Sequence, residues 1–368
     1  MYLRFLALVL SWGVSVAAAA DPFPISVDVY VGGTHGYYGY RIPAIETAPD
    51  GTLLAFAEAR KHNLDDPGFG KQDIDLVLRR STDKGATWTP MVVLDDPGEY
   101  WSAANPTTVV DRDTGRVWLI YLRARPERNT FTARPGTDDN QVIVRSSEDS
   151  GRSWSEPQDV TEMVRDMKDS QWRVSVIGPG GAIQDRTGRL IAPAWKYEPF
   201  RVFAIYSDDH GQSWHRGPLV SAEKDVNESQ MVELSNGSVL VDMRQNKGDK
   251  RWMSVSRDRG VSWEPVYEGN SVTPVACAVE RLTTESAGDD RNRILWTGPK
   301  GPGRNKLVLR VSYDEGKTFQ NERLISSEPA AYSDLTVLTD KSVGCLWERA
   351  NCRFITFTRF DLAFIEPR

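Results

Sequence analysis

One eight-residue pattern, Ser-x-Asp-x-Gly-x-Ser/Thr-Trp/Phe, occurs five times, at 81–88, 147–154, 207–214, 256–263 and 312–319. Successive serines lie 66, 60, 49 and 56 residues apart. Spacing this even marks a repeat architecture in which each copy serves one supersecondary unit. Each copy reads as a tight hairpin turn. The Asp side chain is expected to accept hydrogen bonds from backbone N–H groups one or two residues on. The Gly supplies a positive φ without a Cβ penalty, and the terminal aromatic is expected to pack back into the sheet that the turn serves. Alternating runs, 75–79 and 141–145 among them, precede the turns as half-buried strands do.

A second repeat supports the first. A turn Gly followed by an apolar strand appears at 51–56, 115–120, 188–192 and 237–241, with weaker versions at 293–296 and 342–347. Six such units, each contributing to one small antiparallel sheet, predict an all-β fold: a six-bladed β-propeller of four-stranded antiparallel sheets. The run 354–360 is expected to complete the last sheet beside an N-terminal strand near 25–31. The turns themselves are read as structural. No Pro/Gly/Ser-rich linker divides the chain, so residues 21–368 read as one domain.

The remaining composition narrows the partners. A net charge of −6 argues against nucleic acid and against an anionic membrane surface. An anionic substrate would need a local cluster of Arg. Residues 1–20 carry Arg4, an apolar run from Phe5 to Val16 and four small residues, Ala17 to Ala20. That is the layout of a cleaved signal peptide, which implies a secreted or periplasmic protein. No later stretch approaches the ~20 apolar residues of a membrane span. Three cysteines, Cys277, Cys345 and Cys352, argue against a disulfide framework. Whether Cys345 and Cys352 pair across the short hairpin between them is left open. The four His show no metal-ligand spacing, so no metal and no cofactor is expected.

Tyr40-Arg41-Ile42-Pro43, taken with the five turns, resembles the exo-sialidase (neuraminidase) family, bacterial-type glycoside hydrolases whose repeats are known as Asp-boxes. Asp-box propellers also include unrelated glycanases and sorting receptors, so the further matches matter. The resemblance implies that Arg41, Arg244 (in Val241-Asp242-Met243-Arg244) and Arg304 (in Gly301-Pro302-Gly303-Arg304) grip the carboxylate of a sialic acid. Arg suits that task because its planar, permanently charged fork bonds a carboxylate bidentately. Glu348, after Gly344-Cys345-Leu346-Trp347, matches the residue that orients the first Arg.

The family uses a Tyr nucleophile. The anomeric carbon bears a carboxylate that would repel an approaching Asp or Glu, whereas a phenol is neutral until a base takes its proton. Tyr332, in Ala331-Tyr332-Ser333-Asp334-Leu335, matches the nucleophile, and Glu228, in Asn227-Glu228-Ser229-Gln230, matches its base, with Ser229 where relatives carry Cys. The general acid is expected on the loop after Arg60, at Asp65 or Asp66, with Asp66 favoured by its Asp66-Pro67-Gly68 context. Arg60 matches a residue that contacts the sugar near its 4-hydroxyl. Three cations around Tyr332 are expected to lower its pKa and favour phenolate. Where many relatives carry aromatic residues, this chain has Trp172, Val174 and Ser175. Trp172 is expected to survive as a wall of the site, and N-acetyl, N-glycolyl and deaminated sugars all remain open.

The resemblance therefore implies an exo-α-sialidase, acting as a monomer on sialylated glycans, glycoproteins or glycolipids with retention of configuration. Three other readings are weighed against it. A non-catalytic sialoside-binding lectin needs neither Tyr332 nor Glu228. A trans-sialidase calls for an aromatic acceptor platform, which the sequence does not locate. A glycanase acting on neutral chains has no use for three carboxylate-gripping Arg.

Overall fold

The computed structural model describes residues 24–221 and 224–366; the expected signal segment, 1–20, lies outside them. The described residues are all-β. Their helices are limited to two four-residue turns, Thr161–Val164 and Leu362–Ile365, and one 3-10 turn, Glu285–Ala287.

The strands follow one another up and down in four hydrogen-bonded sheets. A nine-stranded sheet runs Gly39–Thr47, Leu53–Arg60, Ile74–Ser81, Ser102–Asp111, Arg116–Ala124, Asn140–Ser147 and Gln158–Asp159, with Val92–Asp95 and Gly180–Gly181 attached. A single parallel bridge, Ile74 to Ser102, joins its two halves. A five-stranded sheet carries Val174–Ile177, Leu190–Tyr197, Arg201–Ser207 and His215–Leu219, with Ile183–Gln184 paired to Leu190–Tyr197. Val226–Glu233, Val239–Gln245, Lys250–Ser256 and Tyr267–Ser271 form a four-stranded sheet. The seven-stranded sheet runs from Ala278–Thr283 through Arg293–Pro299, Asn305–Ser312, Gln320–Val337, Val343–Arg349 and Phe354–Phe360 to Ile25–Val31. The expected pairing of 354–360 with an N-terminal strand is present: Ile25–Val31 lies antiparallel to Phe354–Phe360.

The first strand of each group meets the first strand of the next. Gly39–Thr47 touches Ser102–Asp111, which touches the short strands of 174–184. Contacts continue through Val226–Glu233 and Ala278–Thr283 to Gln320–Val337, which returns to Gly39–Thr47. The circuit is closed. Gly180–Gly181 sits at its hub, against Gly39–Thr47, Ser102–Asp111, Val226–Glu233, Ala278–Thr283 and Gln320–Val337 at once. Only a glycine fits there, because a Cβ on Gly180 would stand 2.0 Å from Gln230 Nε2 and 2.7 Å from Asp334 Oδ1.

The five repeated turns share one hydrogen-bond pattern, and it differs from the expected one. In the first, Ser81 Oγ donates to Asp83 Oδ1 (2.7 Å) and accepts from Gly85 N (2.8 Å). Asp83 Oδ1 accepts from Thr87 N (2.9 Å) and Oδ2 from Thr87 Oγ1 (2.5 Å), so the Asp reaches four residues on rather than one or two. The other four turns repeat these bonds. The terminal aromatics also depart from expectation. They pack against the preceding group of strands, not the sheet they serve: Trp88 on Phe357, Trp154 on Phe56 and Trp214 on Trp118 meet edge to face, centroids 5.4–6.2 Å apart. The turn glycines do the same. A Cβ on Gly85 would meet Phe357 at 2.0 Å, on Gly211 Trp118 at 2.2 Å, and on Gly316 Leu240 at 2.4 Å. Each turn is thus a rivet between neighbouring groups of strands, and its Gly is required twice, by backbone and by contact.

The three cysteines are free thiols, and Cys345 and Cys352 are not bonded to one another. One end of the central passage widens into a cavity of about 920 Å³ that includes Glu46 and Glu280. Burial, then the charge of a neighbouring carboxylate, pushes each of these two up to about 8. Burial likewise lifts Asp334 to about 6, against hydrogen bonds that hold it down.

Two predictions follow from these contacts. Gly211→Ala is expected to cost about 3 kcal/mol, from a positive φ plus the clash with Trp118. Gly115→Ala, at φ 74° but in open space, is expected to cost about 1 kcal/mol. Equal losses in urea titrations would remove the riveting role. The second concerns pH. An acid whose folded pKa is raised binds more protons folded than unfolded, so its contribution falls as pH climbs from the unfolded value to the folded one. Stability is therefore expected to decline between about pH 4.5 and 8. Glu280→Gln should raise the melting temperature at pH 8 and leave it unchanged at pH 4.5; the same gain at both would refute the assignment.

Candidate active site

Four inner strands break register at the same end of the ring. Each does so by setting two residues opposite one, a β-bulge that re-aims side chains. Ile42-Pro43 oppose Ala57, between the pairs Arg41↔Glu58 and Ala44↔Phe56. Asn105-Pro106 oppose Tyr121. Asn227-Glu228 oppose Arg244. Ala331-Tyr332 oppose Glu348. Two of the bulges therefore set one expected site residue across a rung of the ladder from another, Glu228 from Arg244 and Tyr332 from Glu348. Two of them also contain Pro, which cannot donate to a ladder; that was the available sequence signal for them.

The side chains converge. Tyr332 Oη donates to Glu228, 2.8 Å from Oε1 and 2.6 Å from Oε2. Arg244 Nη1 donates to Tyr332 Oη at 2.8 Å and also bonds Glu228 Oε2. The guanidinium carbons of Arg41 and Arg304 stand over the Tyr332 ring, 5.3 and 5.4 Å from its centroid. Glu348, fully buried, accepts from Arg41 Nε (2.5 Å), Ile42 N (2.9 Å) and Tyr332 N (3.1 Å). Burial alone would raise its pKa, but Arg41 and these donors carry it below the ordinary value. One carboxylate thus fixes the first Arg, the first bulge and the strand bearing Tyr332.

Donors remain uncommitted. Arg41 bonds Glu348 through Nε and Nη2 only. Arg244 engages Glu228 and Tyr332 through Nη1 alone, which leaves its Nη2 without a hydrogen bond within the protein. Arg304 is exposed and donates only to Pro274 O (3.1 Å). Three guanidinium groups with free N–H edges around one phenol make a receptor for a small carboxylate. The phenol is not shifted in the expected direction. Burial raises the Tyr332 pKa, and Glu228 adds to that; Arg244, Arg41 and Arg304 pull it down without prevailing. Tyr332 is a phenol at neutral pH, with its proton already directed at Glu228.

The adjoining cleft, about 190 Å³, includes Arg60, Asp66, Asn105, Asn140, Asn227, Glu228, Arg244 and Tyr332. Asp66 lines it and Asp65 does not. The Asp66 side chain is 68% exposed at the mouth, 3.2 Å from both Nη1 and Nη2 of Arg60. Arg60 is wholly buried, and its guanidinium holds Glu58 Oε2 (2.6 Å), the carbonyls of Leu64 and Asp65 and the Asp66 carboxylate. It braces the acid loop from beneath. Glu58 in turn accepts from Asn105 N (2.9 Å) and fixes the second bulge. Sequence reasoning missed Glu58; its signal was the Glu58-x-Arg60 spacing, two residues on one face of a strand.

Trp172 is not a wall of the cleft. It is 2% exposed within the core, its Nε1 donating to Ser175 Oγ at 3.0 Å. Leu122, Ala124, Val174, Val176, Trp195 and Phe200 line that side instead, with Phe131 at the rim. Val174 and Val176 face the cleft while Ser175 faces away, as strand alternation requires.

Residues 51–345 match the BNR repeat-like domain family. A sialidase of Micromonospora viridifaciens is 31% identical over 96% of the chain, and one of Bacteroides fragilis 27% identical over 88%. The chain spans 56% and 62% of those relatives' lengths. The solved structure of a Hadza microbial sialidase superposes with a TM-score of 0.82 at 26% identity, covering 92% of this chain and 68% of that one. Its fold is accordingly the β-propeller of these neighbours. Repeats, ring and relatives agree: the chain belongs to the sialidase (neuraminidase) family.

Proposed function

We propose that the protein is an exo-α-sialidase that removes terminal sialic acids from glycans, glycoproteins or glycolipids, with retention of configuration. The observation that carries the reading is the Tyr332 hydroxyl bonded to both oxygens of Glu228 beneath three guanidinium groups. The same reading takes the four sheets as six blades of four strands. It takes residues 21–368 as one catalytic domain, acting as a monomer outside the cytoplasm after removal of 1–20.

The substrate carboxylate takes the free N–H edges of Arg41, Arg244 and Arg304, which orients the anomeric carbon over Tyr332. Asp66, at the mouth, protonates the glycosidic oxygen as the bond to the leaving group breaks. Tyr332 attacks the oxocarbenium-like carbon while its proton passes to Glu228. Burial keeps the phenol above its ordinary pKa against the pull of the three Arg, and in this reading its proton leaves for Glu228 as attack proceeds. No standing phenolate then faces the incoming carboxylate. Water, deprotonated by Asp66, attacks the same carbon from the side the leaving group vacated, Tyr332 leaves and recovers its proton from Glu228, and the sugar departs with its original configuration.

Wild type is expected to turn over a fluorogenic sialoside and to ignore a neutral hexoside, and proton NMR should show the α-anomer released first. Tyr332→Phe should lower kcat at least about a thousandfold. Full activity in that variant would remove the nucleophile, and a first-formed β-anomer would remove retention. Inactivity of wild type on every sialoside would leave the lectin. Glu348→Gln is expected to raise KM about tenfold by loosening Arg41 and to cost about 3 kcal/mol of stability, since it breaks a buried ion pair. An unchanged KM would show that Arg41 needs no orienting partner.

A further inference from the structure

The loop that carries Asp66 is closed at its neck by a second cation. Lys61 directly follows Arg60, and its ammonium lies 2.8 Å from Asp73 Oδ1, 3.1 Å from Asp75 Oδ1 and 3.7 Å from Asp96 Oδ2. The strand register explains the meeting. Arg60 pairs with Ile74 and Ala59 with Asp75, so Lys61 stands opposite Asp73 and diagonal to Asp75 across the ladder. Lys61 N also donates to Asp73 O at 2.9 Å, which closes the loop through the backbone as well.

This one ammonium serves carboxylates that have little else. Asp73 Oδ1 and Asp75 Oδ1 are sealed from solvent and accept no hydrogen bond from another group. Their second oxygens accept from Tyr100 N (3.0 Å) and Tyr37 Oη (2.5 Å). Burial works against the ammonium, but its bonds to Asp73 and Asp75 prevail and lift its pKa to about 12. Without that charge, two buried carboxylates and the exposed Asp96 would face one another, and their repulsion would open the neck.

The neck is connected to the acid. Gln72, buried beside Asp73, accepts from Asp73 N through Oε1 (3.1 Å). Its Nε2 spans the loop and donates to Asn63 Oδ1 (2.7 Å), Asn63 O (3.2 Å) and Asp65 O (2.7 Å). A continuous run of bonds from Lys61 through Asp73 and Gln72 thus ends at Asp65, one peptide from Asp66. Arg60 touches the Asp66 carboxylate itself, whereas Lys61 holds shut the ring of chain that presents it. We propose, resting on the sialidase reading above, that Lys61 is a positioning residue for Asp66, keyed on three carboxylates, and that it sets how well the enzyme protonates its leaving group. The consequence is selective. The alkoxide of a glycan needs the proton in order to leave, and an aryloxide hardly does. Displacing Asp66 therefore harms glycan linkages far more than aryl ones.

The test compares kcat/KM on two substrates with the same sialic acid, an aryl sialoside of low leaving-group pKa and sialyllactose supplied as both linkage isomers. The ratio between them does not depend on how much enzyme is folded. Lys61→Met is expected to lower kcat/KM at least about thirtyfold on sialyllactose and at most about threefold on the aryl sialoside. Lys61→Arg, which keeps the charge, should hold the ratio within about threefold of wild type. Asp73→Asn weakens the same neck with Lys61 retained, and should move the ratio in the direction of Lys61→Met even where that variant fails to fold. Equal losses on both substrates in Lys61→Met or Asp73→Asn, or a Lys61→Arg ratio no better than that of Lys61→Met, overturn the proposal and leave the sialidase reading intact. A wild type that hydrolyses neither substrate overturns both.

Discussion

A sheet closed into a ring of sheets leaves one edge of every innermost strand facing the axis without a neighbour, and its N–H groups must be satisfied some other way. Here side chains do it. Asp334 accepts from Ile45 N (2.8 Å) and Gly181 N (3.2 Å), and Gln230, which donates to Asp334 Oδ1 at 2.8 Å, accepts from Val279 N. Glu348 serves Ile42 N and Tyr332 N, and Glu58 serves Asn105 N. Polar residues are thus required at the axis by backbone accounting alone, before any chemistry is asked of them.

The site exploits that requirement. Asp334 lies two residues beyond Tyr332 and Gln230 two beyond Glu228, so the pairs that stitch the axis and the pairs that face substrate sit on the same strands. The bulges separate the two tasks. Below them the strands run in register and build the hub; at them the ladder yields two residues to one and Tyr332, Glu228 and their partners turn toward the cleft. The two acidic partners then act differently. Glu348 accepts from the Arg41 guanidinium, from Ile42 N and Tyr332 N and from Cys352 Sγ, and stays charged, whereas Glu228 shares a proton-bearing neighbour and a single Arg contact.

The repeated turns made the all-β class legible, because Ser-x-Asp-x-Gly-x-Ser/Thr-Trp/Phe encodes a local hydrogen-bond set that needs no tertiary context. The pairing of 25–31 with 354–360 was legible separately, because the last sheet of a closed ring is completed by a strand from the other end of the chain. Arg41, Arg244, Arg304, Glu228 and Tyr332 were legible through family motifs, and the structure brings them to one point. What escaped depends on neighbours distant in sequence. The Asp-box aromatics were assigned to the wrong sheet because their partners, such as Phe357 for Trp88, lie far along the chain. Trp172 was assigned to the cleft by alignment of kind, but strand alternation turned Val174 and Val176 inward and left it behind. The Tyr332 shift came out reversed because counting cations ignores burial, which nothing in a short motif reports.

Gln320–Val337 begins as the outer partner of Asn305–Ser312 and ends as the inner partner of Val343–Arg349. Its eighteen residues follow directly on the last Asp-box and carry Tyr332 thirteen positions past Phe319. Three register irregularities in its first half adjust that pairing before the second half begins. A strand shared this way is length-locked. One residue inserted or deleted anywhere between Phe319 and Tyr332 would have to be absorbed by those irregularities, or it would rotate the phenol to the opposite face. Variation in chain length within the protein is therefore far easier to accommodate in its loops than along this one segment.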